Sequence, residues 1–266
     1  MSSTSSPSRI ILVTGANRGI GNGIVQRLVA KAPSPTSSDE GKKWTIILAC
    51  RTKRSAEEAI QSFNASIIDN VSLEPLELEL GSDESILAAK RSVEERFGHV
   101  DVLINNAGSV TRVNPTNPSS ETNNLRAHFV ETYNINVASV ALTIDTFLPL
   151  LQRSPDARII NLASQTGSLA FAAGTDFFLT EEVGYSVAKA ALNRLTIELW
   201  KMYRDKGISF YCACPGYCRT GLTKYTGLKD PVEGARVVEE LVLAEKGRFP
   251  FGFYAFEDGE MRTYQW

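Results

Sequence analysis

The chain is short of the residues on which several enzyme classes depend. Histidine occurs twice in 266 residues, as His99 and His128. His99 falls in a turn ahead of an apolar strand and His128 on a polar helix face, so Ser-His-Asp hydrolysis and histidine-bound metal catalysis have little to build on. The four cysteines, Cys50, Cys212, Cys214 and Cys218, are too few and too embedded in strand-like runs for a disulfide framework. A zinc site of the form C-x-C-x-x-x-C would be interrupted by Pro215-Gly216, so buried reduced thiols and no metal are expected. Charge of one sign is also lacking. Lys and Arg number 28 against 30 Asp and Glu, and a net charge of −2 argues against a nucleic-acid platform or a polybasic membrane surface. No run approaches the roughly 18 apolar residues of a membrane span. Residues 1–8 are rich in Ser, Thr and Pro without an apolar stretch, which suits a flexible leader better than a secretion signal. The expected location is cytoplasmic.

What the chain does have is alternation. An apolar fraction of 43% and a charged fraction of 22% are ordinary for a globular protein, and the length can bury a sizeable core. Apolar strand-like runs at Ile10–Val13, Trp44–Ala49, Ser72–Leu80, Val100–Ile104, Arg158–Leu162, Ile208–Ala213 and Gly252–Phe256 are separated by helix-like stretches. The latter cover Asn22–Ala32, Ala56–Phe63, about Asp83–Phe97 behind a Ser82 cap, about Leu125–Leu151, Tyr185–Arg204 and about Pro231–Ala244. Repeated β-α units with apolar strands predict an α/β fold: one doubly wound parallel sheet of about seven strands with helices on both faces. No linker divides residues 9–266, and Pro33–Lys43 reads as a surface insertion.

The first strand runs into Thr14-Gly15-Ala16-Asn17-Arg18-Gly19-Ile20-Gly21 and then a helix. Strand, glycine turn and helix in that order make a dinucleotide phosphate site, because glycines permit close backbone approach and the helix N-terminus offers free N–H groups. The spacing is G-x-x-x-G-x-G, not the general G-x-G-x-x-G, and a merely structural turn is the alternative. Further along, Tyr185 and Lys189 stand four apart, one helical turn, so both lie on one face. An ammonium beside a phenol favours phenolate and draws its pKa down from about 10.

Thr14-Gly15-x-x-x-Gly19-x-Gly21, Asn105-Asn106-Ala107-Gly108, Asn136, Ser164, Tyr185-x-x-x-Lys189 and Pro215-Gly216 occur in the order and approximate spacing of the short-chain dehydrogenase/reductase family. The resemblance spans about residues 9–256 and is greatest to the NADPH-dependent carbonyl reductase branch. It implies a Rossmann fold and a catalytic set. Tyr185 would be the proton donor to a carbonyl oxygen, and Lys189 would lower its pKa and hydrogen-bond the nicotinamide ribose. Ser164 would hold the substrate oxygen, and Asn136 would anchor a water that relays protons to Lys189. It also implies that the cofactor lies against Gly15, Asn17, Arg18, Gly19, Ile20 and Gly21, then Arg51, Glu79 and Leu80. Beyond these it would meet Asn106, Ala107 and Gly108, Tyr185 and Lys189, and finally Pro215, Gly216, Cys218 and Thr220.

Charge argues for NADP(H). No acid follows the second strand, where NAD-binding chains place one about 20 residues past the glycines. Instead Arg51-Thr52-Lys53-Arg54 stands there, and Arg51 with Arg18 suits a 2′-phosphate. The pattern departs from the family in two places. Glu79 stands where an aspartate is usual, and Ser164 and Tyr185 are 21 positions apart, more than is common. The added residues within 165–184, with loops at about 109–124 and 221–230, are expected to shape the substrate site. Three phenylalanines, Phe171, Phe177 and Phe178, suggest an apolar or aromatic ketone or aldehyde. The same residues would serve an NADP-dependent alcohol dehydrogenase, and a non-catalytic NADP(H)-binding regulator is a third reading. Homo-oligomer and monomer both fit the sequence.

Overall fold

Strand β1 (Arg9–Thr14) is buried from Ile10 to Thr14, as an apolar run must be in the middle of a sheet covered on both faces. In the computed structural model it leads into α1 (Gly19–Lys31), β2 (Trp44–Cys50), α2 (Lys53–Gln61), β3 (Val71–Glu77), α3 (Asp83–Phe97) and β4 (Val102–Asn105). Next come α4 (Leu125–Tyr133), a π turn (Asn134–Ala138), α5 (Ser139–Leu151) and β5 (Arg158–Leu162). A 3-10 turn (Gln165–Gly167), α6 (Leu169–Ala173), α7 (Val183–Tyr203) and β6 (Ser209–Cys214) follow, then α8 (Pro231–Gly234), α9 (Arg236–Leu243), β7 (Gly252–Glu257) and β8 (Glu260–Tyr264). The structure describes residues 8–32, 43–63, 71–111, 125–176 and 182–266. The expected leader, apart from Ser8, lies outside them, as do the insertion up to Lys43 and parts of the loops at 109–124 and 165–184.

One eight-stranded sheet runs β3-β2-β1-β4-β5-β6-β7-β8. Every pairing is parallel except β7 with β8. The order reverses between β1 and β4, so their C-terminal ends part at a topological switch point, where such sheets bind ligands. One core layer packs α1, α2 and α9 against Ile11, Val13, Ile46 and Ile160. The other packs α3, α5 and α7 against Leu12, Ile47, Leu103 and Ile159. Each fully buried aliphatic side chain contributes about 1.5–3 kcal/mol.

Several expectations need correcting. The sheet has eight strands, not about seven, because Asp258 (φ 51°) and Gly259 (φ 86°) form a tight turn that folds β8 back on β7. Two successive positive-φ residues with the sequence Asp-Gly match the right-handed twist of the paired strands. Strand β3 stops at Glu77 rather than Leu80, since Leu78 makes one last bond to Cys50 O (2.7 Å) before the chain turns. Pro75 is tolerated there because β3 is the edge strand. The helix expected over 231–244 breaks after Gly234, and a Cβ on that glycine would lie 2.3 Å from Cys218 Sγ. Helix α3 begins as expected: Ser82 Oγ accepts from Ser85 N–H at 3.2 Å.

The stretch from Leu125 to Leu151 spans 27 residues with a mean hydropathy of 1.4 over its most apolar window, long and apolar enough to cross a membrane by composition alone. Half of that window is buried inside the protein, and Val140, Ile144, Phe147 and Leu150 sit in the core.

Candidate active site

The crevice is built from backbone first. Asn106, just past β4, donates from Nδ2 to Thr14 O (2.8 Å) and Gly15 O (3.3 Å). The N–H groups of Asn106 and Ala107 both donate to Thr14 Oγ1 at 3.0 Å. These bonds lock the glycine turn to the end of β4, leaving no room for side chains. A Cβ on Gly21 would fall 2.2 Å from Gly15 O and 2.5 Å from Asn106 Nδ2, and one on Gly15 would meet Ala107 Cα at 3.0 Å. Gly15 (φ 64°) and Gly19 (φ 56°) also take left-handed backbone that glycine adopts freely. Helix α1 starts at Gly19 with exposed Arg18 as its N-cap residue, so its first N–H groups open onto the crevice. Thr220, in the loop after β6, closes over this turn: its Cγ2 would lie 3.3 Å from a Cβ on Gly19.

The remaining residues expected at the cofactor are placed around this frame. Backbone hydrogen bonds from Ala16 and Asn17 reach Cys50, at the end of β2, and Ile20 packs on the core. Leu80 offers its carbonyl to Ser139 Oγ (2.6 Å). Cys218 donates its thiol to Pro215 O (3.4 Å), and Gly216 holds φ 80°. Arg51 and Glu79, read separately in the sequence, meet: Arg51 Nε lies 2.9 Å from Glu79 Oε2, while Gly81 N–H donates to Glu79 Oε1 at 3.1 Å. The backbone thus fixes the carboxylate, and the carboxylate tethers a guanidinium that is otherwise 81% exposed.

The four expected catalytic side chains come from three neighbouring elements. Ser164 follows β5, its Oγ 2.9 Å from Thr166 Oγ1 and near enough to the Tyr185 phenol to pull its pKa downward. Tyr185 and Lys189 stand in the first two turns of α7. The Lys189 ammonium donates to Leu162 O (2.7 Å) and lies 5.5 Å from the centre of the Tyr185 ring. Asn136 sits in the π turn, donating from Nδ2 to Ser109 O (2.7 Å) and Thr132 O (2.8 Å). Its Oδ1 is buried with no hydrogen-bond partner among the described residues. Gly108 separates Asn136 from Lys189, since a Cβ there would lie 2.8 Å from Asn136 Oδ1 and 3.7 Å from Lys189 Nζ. Gly167 lets the 3-10 turn press against α7, where a Cβ would be 2.6 Å from the Lys189 carbonyl carbon.

The electrostatics differ from the expectation that Lys189 draws Tyr185 down. Burial dominates. It raises the phenol well above its ordinary value, Cys214 and Glu182 adding to the rise and only the Ser164 hydrogen bond opposing it. Burial also pushes Lys189 down from 10.5 to about 8, against a smaller upward pull from Cys212 and Cys214. Those two thiols lie behind the pair on one face of β6, with Ala163, Phe253 and Ala255. All four cysteines are free and buried. His99 has a structural task at the far end of the sheet: its Nε2 is 3.1 Å from Asp101 Oδ2, which also accepts from Ile10 N–H at 2.7 Å.

The sequence placed Thr14 in the glycine motif without showing that its hydroxyl organises two N–H groups, and it did not show the π turn. Sequence reasoning also missed β8, although Asp258-Gly259 between β-prone runs carried a hairpin signal.

The orphaned Asn136 oxygen, the side-chain-free glycine cradle and the free N–H groups of α1 fit a dinucleotide in the crevice. Comparison with known proteins agrees. Residues 9–230 match the family described as short chain dehydrogenase. The short-chain dehydrogenase anuI of Penicillium roqueforti is 31% identical over 264 residues, covering 97% of each chain. A short-chain dehydrogenase/reductase of Aspergillus fumigatus is 31% identical over 278 residues, covering 99% of each. Among solved structures, the NADPH-bound carbonyl reductase from chicken fatty liver superposes with a TM-score of 0.73 at 28% identity, covering 97% of this chain and 99% of that one. The chain belongs to the short-chain dehydrogenase/reductase family of oxidoreductases.

Proposed function

We propose that the protein is an NADPH-dependent reductase of a small to medium ketone or aldehyde with an apolar or aromatic body, acting in the cytoplasm. The observation that carries this reading is the gathering of Ser164, the Tyr185 phenol and the Lys189 ammonium, 5.5 Å from the Tyr185 ring centre, at one point of the crevice. When bound, NADPH supplies the hydride that adds to the carbonyl carbon. Tyr185 gives its proton to the carbonyl oxygen as that oxygen gains charge; the buried phenol carries that proton at neutral pH. Ser164 donates a hydrogen bond to the same oxygen. Lys189 offers its ammonium to the ribose and to the phenolate formed at Tyr185, and Asn136 Oδ1 holds a water that returns the proton through Lys189. Arg18 and Arg51 meet the 2′-phosphate. Among the described residues, those at 109–111, 165–176 and 221–230 form the substrate walls. Alcohol oxidation would use the same groups in reverse, with Tyr185 taking back the proton that it gives in reduction.

The test is a panel of ketones and aldehydes followed by NADPH absorbance. Turnover is expected with aromatic members, and Tyr185→Phe should cut it about a thousandfold while NADPH binding changes less than about twofold. A Tyr185→Phe protein that turns over normally would overturn the mechanism.

A further inference from the structure

The excursion from Ser164 to Tyr185 is fastened from a distant part of the chain. Ser168, only 2% exposed, donates from Oγ to Gln265 O at 2.7 Å while accepting from Phe171 N–H at 3.0 Å, so one hydroxyl both caps α6 and ties it to the residues after β8. Ala170 N–H donates to Trp266 O at 3.1 Å. The Trp266 ring is itself seated. It stacks on Phe251 (centroids 5.4 Å apart, planes 18°) and on Phe253 (5.7 Å, 26°). Phe251 in turn lies flat against Trp200 at 4.4 Å and 4°. Trp200 belongs to α7, the helix that carries Tyr185 and Lys189, and Phe253 packs with Cys212 and Cys214 behind them. The indole is thus seated on Phe253 of β7 and, through Phe251, against the catalytic helix, while the backbone carbonyl of the same residue holds α6.

Helix α6 depends on contacts from outside itself. It is five residues long, too short to be stable by itself, and Leu169 at its start is 71% exposed. Trp266 O takes one of the first-turn N–H groups that a helix cannot pair within itself, Ala170 N–H, and Gln265 O holds the Ser168 cap.

We propose that Gln265 and Trp266 form a latch that holds α6 as the outer wall of the carbonyl site, with Trp266 a positioning residue for bulky substrates. The wall role rests on the carbonyl reductase reading; the latch does not. The latch acts by limiting how far α6 can swing from Ser164, so its loss would weaken the grip on a large apolar substrate body. The reacting oxygen, held by Ser164 and Tyr185, would be untouched.

The experiment compares wild type, Trp266→Ala and Trp266→Phe, using 2-acetylnaphthalene as the bulky probe, propanal as the small one, and backbone hydrogen exchange over 169–173. Trp266→Ala is expected to speed exchange in α6 and raise KM for 2-acetylnaphthalene about fivefold, the scale of a lost aromatic contact. Its kcat, its KM for propanal and its NADPH affinity should stay level, and Trp266→Phe should restore both changes. Unchanged exchange overturns the latch, and equal KM shifts for the two carbonyls overturn the wall. If Trp266→Ala does not fold, Trp266→Leu carries the same readouts. Wild type that oxidises no NADPH with any carbonyl sinks the reductase reading instead, and exchange over 169–173 then decides the latch by itself.

Discussion

The two halves of the crevice are held by different means. On the β1–β4 side, backbone meets backbone: Gly15, Gly21 and Asn106 approach so closely that no added methyl fits. On the side after β5, the wall is short helix and loop, fastened by Ser168, Gln265 and Trp266 from nearly one hundred residues away. The first half is suited to an invariant guest such as a dinucleotide, which rewards a rigid mould. The second is suited to variation, because a wall fastened by a few side-chain contacts can be reshaped without disturbing the sheet.

The largest test of this division is Tyr185→Phe, which should abolish chemistry on one side and spare binding on the other. Next is Gly21→Ala. Forcing a methyl into packed backbone costs about 1–3 kcal/mol, so NADPH should bind roughly 10- to 100-fold more weakly by fluorescence titration, and thermal stability should fall with it. Retained affinity would mean that the cradle is looser than its contacts imply. Smaller again is Arg51→Ala, expected to weaken NADPH roughly tenfold by removing a charge-assisted contact while leaving NADH almost unchanged. Glu79→Gln should act in the opposite sense, tightening NADPH about two- to threefold, since an exposed pair of this kind competes only weakly. Equal losses for NADPH and NADH in Arg51→Ala would remove the 2′-phosphate argument.

The smallest effect is in pH. Lys189 loses its charge as pH rises through about 8, so NADPH affinity should decline a few-fold from pH 7 to 9.5 and be flat in Lys189→Met. For stability the sign is reversed. Between about 8 and 10.5 the unfolded chain holds this proton more tightly than the native one, so the Lys189 contribution to stability grows with pH. A pH-melting series on wild type and Lys189→Met reads this directly.

Legibility followed the same division. Ile10–Val13 and Arg158–Leu162 could be recognised as strands because apolar β-branched runs have few other uses. The glycine turn and the Tyr185/Lys189 spacing were legible because local backbone geometry demands those residues at those intervals. The Arg51–Glu79 pair was not, since it depends on how the ends of β2 and β3 come together. Nor was the fastening of α6, because nothing near Ser168 announces a partner beyond residue 260. The damping of Lys189 by burial was equally hidden: spacing places two groups together but says nothing of the water they lose.

The π turn carries a consequence of angle. Asn136 Nδ2 bonds to Thr132 O, and Ser139 N–H reaches back five residues to Asn134 O, so the path from α4 to α5 holds one residue more than a regular helix would. One residue is about 100° of rotation. Without that offset, α5 could not both present Val140, Ile144 and Phe147 to the sheet and leave Asn136 facing Gly108. A single-residue deletion within 134–138 would make a straighter helix and turn the asparagine away from the lysine. The irregularity works as a phase shifter, letting one continuous rod serve two clients that look at it from different directions.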